Sequence, residues 1–359
     1  MSMRLRRIPL FVSLLVSMVL WVVACQPQVE SPDTPAGSPA ANSSPVLLNG
    51  TGASFPYLIY QQWFSEYNQL NPLVQVNYQP TGSQVGIQQM VAGTIDFGAS
   101  DVAMTDEQIA EVEPGVLLLP MTAGSVAIAY NLPGIDSGLK LPRDVYPEIF
   151  LGTITNWNDP KLAAANPDLT LPDRPIILVH RSDGSGTTAA LTRHLSAISP
   201  QWESEVGEGL SVAWTSGVAV KSNAGVTAQI QQAEGAIGYV EYSYAQQLGM
   251  TMAALENQTG EFVLPTLEAT EAALSDIELP ENLRAFVSDP TSPDAYPIST
   301  YTWLLVYQQY DDAAKAEALR NLLEWCLTEG QASSPALGFV PLSDAVTTRA
   351  LEAIAQIKS

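Results

Sequence analysis

The chain has 359 residues, with 15 Lys and Arg against 37 Asp and Glu, a formal net charge of −22, and 46% hydrophobic residues. That composition belongs to a globular protein, and its acidity, with no basic stripe to displace counterions, excludes nucleic acid as a partner. Arg4, Arg6 and Arg7 precede an apolar run from Ile8 to Val23 that only Pro9, Ser13 and Ser17 interrupt, and the run ends in Val22-Val23-Ala24-Cys25. A basic start, an apolar stretch and a small residue before the cut predict a secretory signal peptide over residues 1–24.

The Cys directly after the small residue makes this end resemble a bacterial lipobox, in which the thiol carries diacylglycerol; Cys25 is then the lipidation site. The competing reading is an uncleaved membrane helix, because the apolar run approaches spanning length. Both readings leave the rest of the chain outside the cytoplasm. Residues 25–45 follow as a Pro- and Ser-rich tether with no aromatic side chain, too poor in apolar surface to offset the entropy of ordering. Losing the three signal arginines takes the charge from −22 to −25.

Residues 46–359 are too many for one ordinary core and suit two domains. Val46–Asn49 reads as a strand that runs into Gly50-Thr51-Gly52-Ala53-Ser54-Phe55-Pro56. Leu58, Ile59, Trp63, Phe64 and Tyr67 share one helical face. Val74–Tyr78 alternates as a strand, Thr81-Gly82-Ser83 opens a helix through Met90, and Ile95–Asp101 is a third strand ending in a polar turn. This order predicts an α/β protein with an open sheet covered on both faces, whose ligands bind at the carboxyl ends of strands. Asn321–Leu327 has an apolar helical pattern, and Cys326 within it is expected to be a buried, inert thiol without a disulfide partner.

The second half repeats the logic: strand Ile176–Val179, then His180-Arg181-Ser182-Asp183-Gly184-Ser185-Gly186-Thr187-Thr188, then a helix through His194. Glycines let successive N–H groups converge, and the helix start adds unpaired donors and a positive dipole end. Ser185 and Thr187 add hydroxyls, Arg181 adds a two-pronged cation, and Asp183 can clamp it. The alternative is a capped helix with a surface Arg–Asp pair. A nucleotide P-loop is excluded, because the Gly-Lys-[Ser/Thr] ending is missing.

Five motifs now resemble one family in order, from about Leu48 to about Ala345: Gly50–Pro56, Asp96–Asp101, Arg181–Thr187, Gly235-Ala236-Ile237-Gly238-Tyr239-Val240-Glu241-Tyr242 and Tyr296-Pro297-Ile298-Ser299-Thr300. They are similar to the periplasmic phosphate-binding proteins of phosphate ABC transporters. The resemblance implies a two-domain type II periplasmic binding fold with a central cleft and two hinge crossovers, near Pro120–Ala123 and Pro297–Ser299. Domain I would be residues 46–121 with 298–359, and domain II residues 122–297. It also implies high-affinity phosphate binding, arsenate as an analogue, a partner permease and ATPase, and no cofactor or metal. Carried over, Ser54, Phe55 (through its N–H) and Ser83 donate from one domain. Arg181, Ser185, Gly186 and Thr187 close from the other, with Asp183 orienting Arg181, and Asp101 accepts the proton of bound phosphate. Two departures stand out. Ser54 replaces the common Thr and keeps its hydroxyl, and Gln84-Val85 follow Ser83 where the family often has Ser-Gly.

Phosphate near neutral pH carries a proton and sulfate carries none, so a buried acceptor at Asp101 favours the former. The alternative role for Asp101 is an N-cap for Val102–Gln108. His180 and His194 lack metal-site spacing, Trp63, Trp303 and Trp325 read as core, Trp157 resembles a family surface segment, and Glu241 reads as solvated, capping or partner-facing. The rival functions are a secreted phosphatase using Ser185 and a sensory or adhesive module with the same pocket.

Overall fold

Val46–Gly52 forms strand β1, which pairs in parallel with β2 (Val74–Gln79) on one edge and β3 (Phe97–Ser100) on the other. Helix α1 (Tyr57–Leu70) connects the first two because Ile59, Tyr60, Trp63, Phe64 and Tyr67 recur at helical spacing, and all five are buried. Tyr60 meets Trp63 at 5.8 Å and Phe64 at 5.5 Å, and Tyr78 stacks on Phe97 at 6.1 Å. Helix α2 (Ser83–Val91) makes the second crossover. The third strand ends one residue before Asp101, because the Ser100 hydroxyl accepts the Val102 N–H at 3.1 Å and turns the backbone out of the ladder. The structure is a computed structural model that describes residues 44–275, 277 and 279–359; the predicted signal peptide, Cys25 and the tether up to Ser43 lie outside the described residues.

After α3 (Asp106–Ala110) comes β4 (Val116–Tyr130), whose 15 residues span about 50 Å at ~3.3 Å per residue. The chain continues through β5 (Lys140–Leu141), α4 (Tyr146–Leu151), α5 (Pro160–Ala165), β6 (Ile177–Arg181), α6 (Gly186–Ile198) and α7 (Pro200–Glu205). Then follow β7 (Val218–Val220), α8 (Ser222–Gln232), β8 (Ala236–Glu241), α9 (Tyr242–Gln247), β9 (Thr251–Met252), β10 (Ala254–Glu256), β11 (Phe262–Val263) and α10 (Leu267–Leu274). Strand β12 (Ser299–Tyr307) and helices α11 (Ala313–Leu327) and α12 (Asp344–Ile354) complete the chain. The main sheet runs β2-β1-β3-β12-β4-β8-β6-β7, with β9 also on β4; β11-β10-β5 form a small second sheet.

Strand β4 joins the two halves of the main sheet. Val116–Ser125 pair antiparallel with β12, and Val126–Tyr130 pair antiparallel with β8. The residues expected to be a crossover, Pro120–Ala123, lie inside this strand. The register slips there, with Trp303 opposite Pro120 and Thr302 opposite Thr122, so Met121 is the extra residue of a bulge. A bulge is also where a sheet tolerates proline, which has no N–H for the ladder. The geometry fixes where strands end. β3 and β4 are both antiparallel to β12, so β3 runs toward the second half; β8 and its parallel neighbour β6 run back toward the first. The carboxyl ends of β1, β3, β6 and β8 therefore converge on one junction.

The core agrees with the sequence at Trp63 and Trp303, both fully buried, and Trp325 packs half-buried on Tyr67 at 5.8 Å. Trp157 differs from its expected surface position: it is fully buried, and its indole N–H donates to the Gly235 carbonyl at 2.9 Å. Cys326 is buried, and burial pushes its thiol pKa up, which keeps it protonated and inert. Among the described residues no helix is long and apolar enough to cross a membrane.

Candidate functional site

From the first half, three segments deliver side chains to the junction. The turn after β1 places Ser54, 2% exposed, and Phe55, fully buried, ahead of α1. Gly82, at φ 107°, supplies a backbone angle that a side chain disfavours and sets Ser83 as the first residue of α2. The turn after β3 delivers Asp101, 3% exposed. Asp101 caps nothing: α3 begins at Asp106, and Thr105 closes its capping box by accepting the Gln108 N–H at 3.3 Å. Instead, the Thr302 hydroxyl donates to Asp101 Oδ1 at 2.8 Å and the Ser83 hydroxyl to Oδ2 at 3.3 Å.

From the second half, β6 ends on Arg181, whose backbone N–H donates to the Tyr239 hydroxyl at 3.0 Å. Asp183 holds the guanidinium with both oxygens, Nε to Oδ1 at 2.7 Å and the second prong on Oδ2. Burial alone would raise the Asp183 pKa, but the bonds from Arg181 and the Ser222 N–H hold it below its ordinary value. The pair is not at the surface, since the Arg181 side chain is 1% exposed. Ser185 caps α6, accepting the Thr188 N–H at 3.2 Å, and Gly186 and Thr187 form the helix's first turn.

The halves touch at these residues. The Gly186 N–H donates to Ser83 Oγ at 3.1 Å, and the Gln84 N–H donates to the Gly184 carbonyl at 3.1 Å. Here the Gln84 departure has a physical sense, since that helix-start donor is spent on joining the halves. A Cβ on Gly186 would stand 2.5 Å from Asp101 Cβ and 2.7 Å from Ser83 Oγ, so only glycine permits this approach. The structure thus brings Ser54, Phe55, Ser83, Asp101, Arg181, Asp183, Ser185, Gly186 and Thr187 to one junction.

Three further residues join them that the sequence did not single out for this place. Thr302 reaches Asp101 from β12. Asn223, fully buried at the start of α8, donates through its side-chain amide to Ser54 Oγ at 3.1 Å and to Thr187 Oγ1 at 3.3 Å. Glu241 is neither solvated nor partner-facing; it is fully buried and caps α9 through the Ser243 N–H at 2.9 Å. Its low-dielectric setting arises because β8 lies inside the sheet.

Electrostatics single out the two buried carboxyls. Burial pushes Asp101 up to about 7, against the pull of the Thr302 hydroxyl, the Arg181 charge and the Ser83 hydroxyl. Burial pushes Glu241 up to about 8, against its bonds from Ser243. The arrangement holds one cation, several hydroxyl and backbone donors, and one titratable acceptor, which suits a small tetrahedral oxyanion bearing a proton. Both histidines are engaged elsewhere. His180 stacks on Trp214 at 4.9 Å and bonds the Arg181 carbonyl at 3.1 Å. His194 lies between the Tyr146 hydroxyl at 2.6 Å and the Ser288 carbonyl at 2.8 Å. Burial lowers the His194 pKa to about 4 and leaves it neutral.

Comparison with known proteins places this geometry. A family model described as a PBP superfamily domain matches residues 38–329. The phosphate-binding protein PstS of Xylella fastidiosa is 38% identical over 333 residues, covering 89% of this chain and 90% of the relative. That of Haemophilus influenzae is 40% identical over 305 residues, covering 84% and 90%. The fold is shared with a solved phosphate-binding protein from Stenotrophomonas maltophilia at TM-score 0.70 and 20% identity, over 86% of this chain and 93% of that one. A periplasmic phosphate-binding protein solved with phosphate gives TM-score 0.69 and 19% identity, over 84% and 92%. On this extent of identity, the chain belongs to the phosphate-binding protein family within the PBP superfamily.

Proposed function

We propose that this protein captures inorganic phosphate outside the cytoplasm and delivers it to the permease and ATPase of an ABC-type phosphate importer, acting as a binding protein rather than an enzyme. The observation that carries the reading is Asp101, a buried acceptor among hydroxyl, backbone and guanidinium donors. Ser54, Phe55, Ser83, Arg181, Ser185, Gly186 and Thr187 are the proposed donors to phosphate, with Asp183 orienting Arg181. Among the described residues, neither histidine is bonded to Ser185, the nucleophile a phosphatase reading would use: His180 bonds the Arg181 carbonyl, and His194 lies between the Tyr146 hydroxyl and the Ser288 carbonyl. Titration calorimetry with phosphate, arsenate and sulfate tests the function. Phosphate and arsenate are expected to bind and sulfate to bind far more weakly; equal heats for sulfate and phosphate would overturn the reading.

Residues 46–121 with 298–359, and residues 122–297, are proposed to be domains that hinge about the strands joining them. Cys25 is proposed to carry lipid and hold the body at a membrane surface through the 25–45 tether, which is supported by the signal-like start and the small residue before Cys25. Fatty-acid labelling checks this: native protein should be labelled and the Cys25→Ser variant should not, while unlabelled native protein removes the anchor.

A further inference from the structure

We infer that Asn223 is a positioning residue that fixes the hydrogen-bond direction of the site, forcing the Ser54 and Thr187 hydroxyls to act as donors toward a bound oxyanion. The inference rests on the phosphate reading above and assigns a role to a residue outside the proposed ligand shell.

The Glu241 backbone N–H lies 3.0 Å from one end of the Asn223 side chain, and only the oxygen end can accept it. The NH₂ end therefore faces the other way, toward Ser54 Oγ and Thr187 Oγ1. Ser54 Oγ receives a second N–H from the Asn223 backbone at 3.2 Å. Thr187 Oγ1 receives Arg181 at 3.5 Å. A hydroxyl has two lone pairs and one proton. With both lone pairs facing N–H groups, each oxygen has only its proton left to offer. Ser83 also accepts two N–H groups, from Asp101 and Gly186 at 3.2 and 3.1 Å, but its proton goes to Asp101 Oδ2 at 3.3 Å, so Asn223 bears on Ser54 and Thr187 alone.

Free hydroxyls are rotors that accept or donate as the ligand requires, so they discriminate little between an anion and a neutral molecule such as a polyol. Locked as donors, they cannot satisfy a ligand's own hydroxyl protons. Only Asp101 then accepts, so the site matches a ligand with many acceptor lone pairs and a single proton. Asn223 also spans the junction, since Ser54 belongs to the first half and Thr187 to the second. Its amide thus sets both donors only when the halves meet.

A double-mutant cycle with phosphate as the probe tests the role. Asn223→Ala alone is expected to weaken phosphate binding about tenfold or more, and to weaken sulfate by the same factor, since it acts on donors common to both. In a Ser54→Ala/Thr187→Val background, the same substitution should change phosphate affinity by less than about twofold, because the hydroxyls through which it acts are gone. An equal loss in both backgrounds overturns the inference. Neutron diffraction of the deuterated native protein provides a readout that needs neither variant nor phosphate. The Thr187 deuteron should point away from Asn223 with or without phosphate, since both residues belong to the second half, and the Ser54 deuteron should do so wherever the halves are together; a deuteron aimed at Asn223 overturns the inference. If the native protein binds no phosphate, the functional reading fails alone, and the deuteron positions still decide Asn223.

Discussion

A carboxylate is tolerable next to an oxyanion only when a proton lies between them. Asp101 meets that condition in two protonation states, because burial places its titration at about 7. Above that pH it is ionised, accepts from hydrogen phosphate and repels sulfate. Below it, the neutral carboxyl donates, and a fully deprotonated anion becomes acceptable. Sulfate affinity of the native protein should therefore rise as pH falls through about 7, and the Asp101→Asn variant should show no such rise. At a pH where Asp101 is ionised, that variant should lose about 1.5–3 kcal/mol of phosphate binding, the worth of a bond to a charged group, while sulfate gains. Calorimetry at one salt concentration measures the ratio, and an unchanged phosphate-to-sulfate preference removes Asp101 from the selectivity. The same shift has a definite sign for stability without ligand. The ordinary carboxyl value is 3.8, and the folded value is about 7, so the folded state binds the extra proton between them. The stability from Asp101 is complete below the lower value and lost as pH rises through the upper one. Asp101→Asn should flatten that part of a melting-temperature curve. Asp101 was legible in the sequence as a strand-end carboxyl beside the hydroxyl and glycine motifs, whereas its shifted titration depends on burial that no local motif specifies.

The strand–turn–helix unit is the element that builds the site, and its motifs are legible because each is local. Gly50–Pro56, Ser83 and Arg181–Thr187 carry turn glycines, hydroxyls and a helix start within a few residues, so sequence alone places them at strand ends. Thr302 and Asn223 were not legible for the opposite reason. Thr302 reaches Asp101 across 201 residues through the β12 and β3 pairing. Asn223 begins a helix with no motif of its own and matters only because α8 brings it between Ser54 and Thr187. Trp157 likewise read as a surface residue and is buried, and of the three readings open for Glu241 only the cap agrees with its burial. The close approach of two such units yields a prediction at this scale. Gly186→Ala adds a methyl where Asp101 Cβ stands 2.5 Å and Ser83 Oγ 2.7 Å away. Helix propensity favours alanine at that first-turn position, so α6 itself should not be weakened and the cost falls on the close approach of the two turns. Phosphate binding should nonetheless weaken by about 1–3 kcal/mol, the usual cost of overpacking, because the methyl holds the two turns apart. Unchanged affinity would show that the turns do not need this contact.

The main sheet explains how one molecule with a charge of −22 can hold an anion. Its two halves run toward each other, so the strand ends and helix starts of both surround one small volume, and directed donors act there over hydrogen-bond distances. The field of the remaining acidic surface is screened beyond roughly 8–10 Å at physiological salt. The same topology motivates the hinge. Bonds such as Gln84 N–H to the Gly184 carbonyl, and Asn223 to Ser54, link the halves across the junction and exist only while the halves are together. Strand β4 joins the halves within the sheet, and its bulge at Met121 is a local break in regular pairing on the first-half side of that join. Phosphate bound by the proposed donors would contact both sides at once, and its binding energy would then favour the closed arrangement by its differential affinity for that state. Small-angle scattering should therefore show a smaller radius of gyration on saturation with phosphate. Sulfate at the same concentration, above the Asp101 titration, should leave the profile unchanged. Arg181→Ala should bind phosphate weakly and need far more of it for the same compaction, because the cation that draws the second half onto the ligand is missing. Superimposable native profiles with and without saturating phosphate would mean that the ligand enters a junction already assembled, and that the strands between the halves do not hinge.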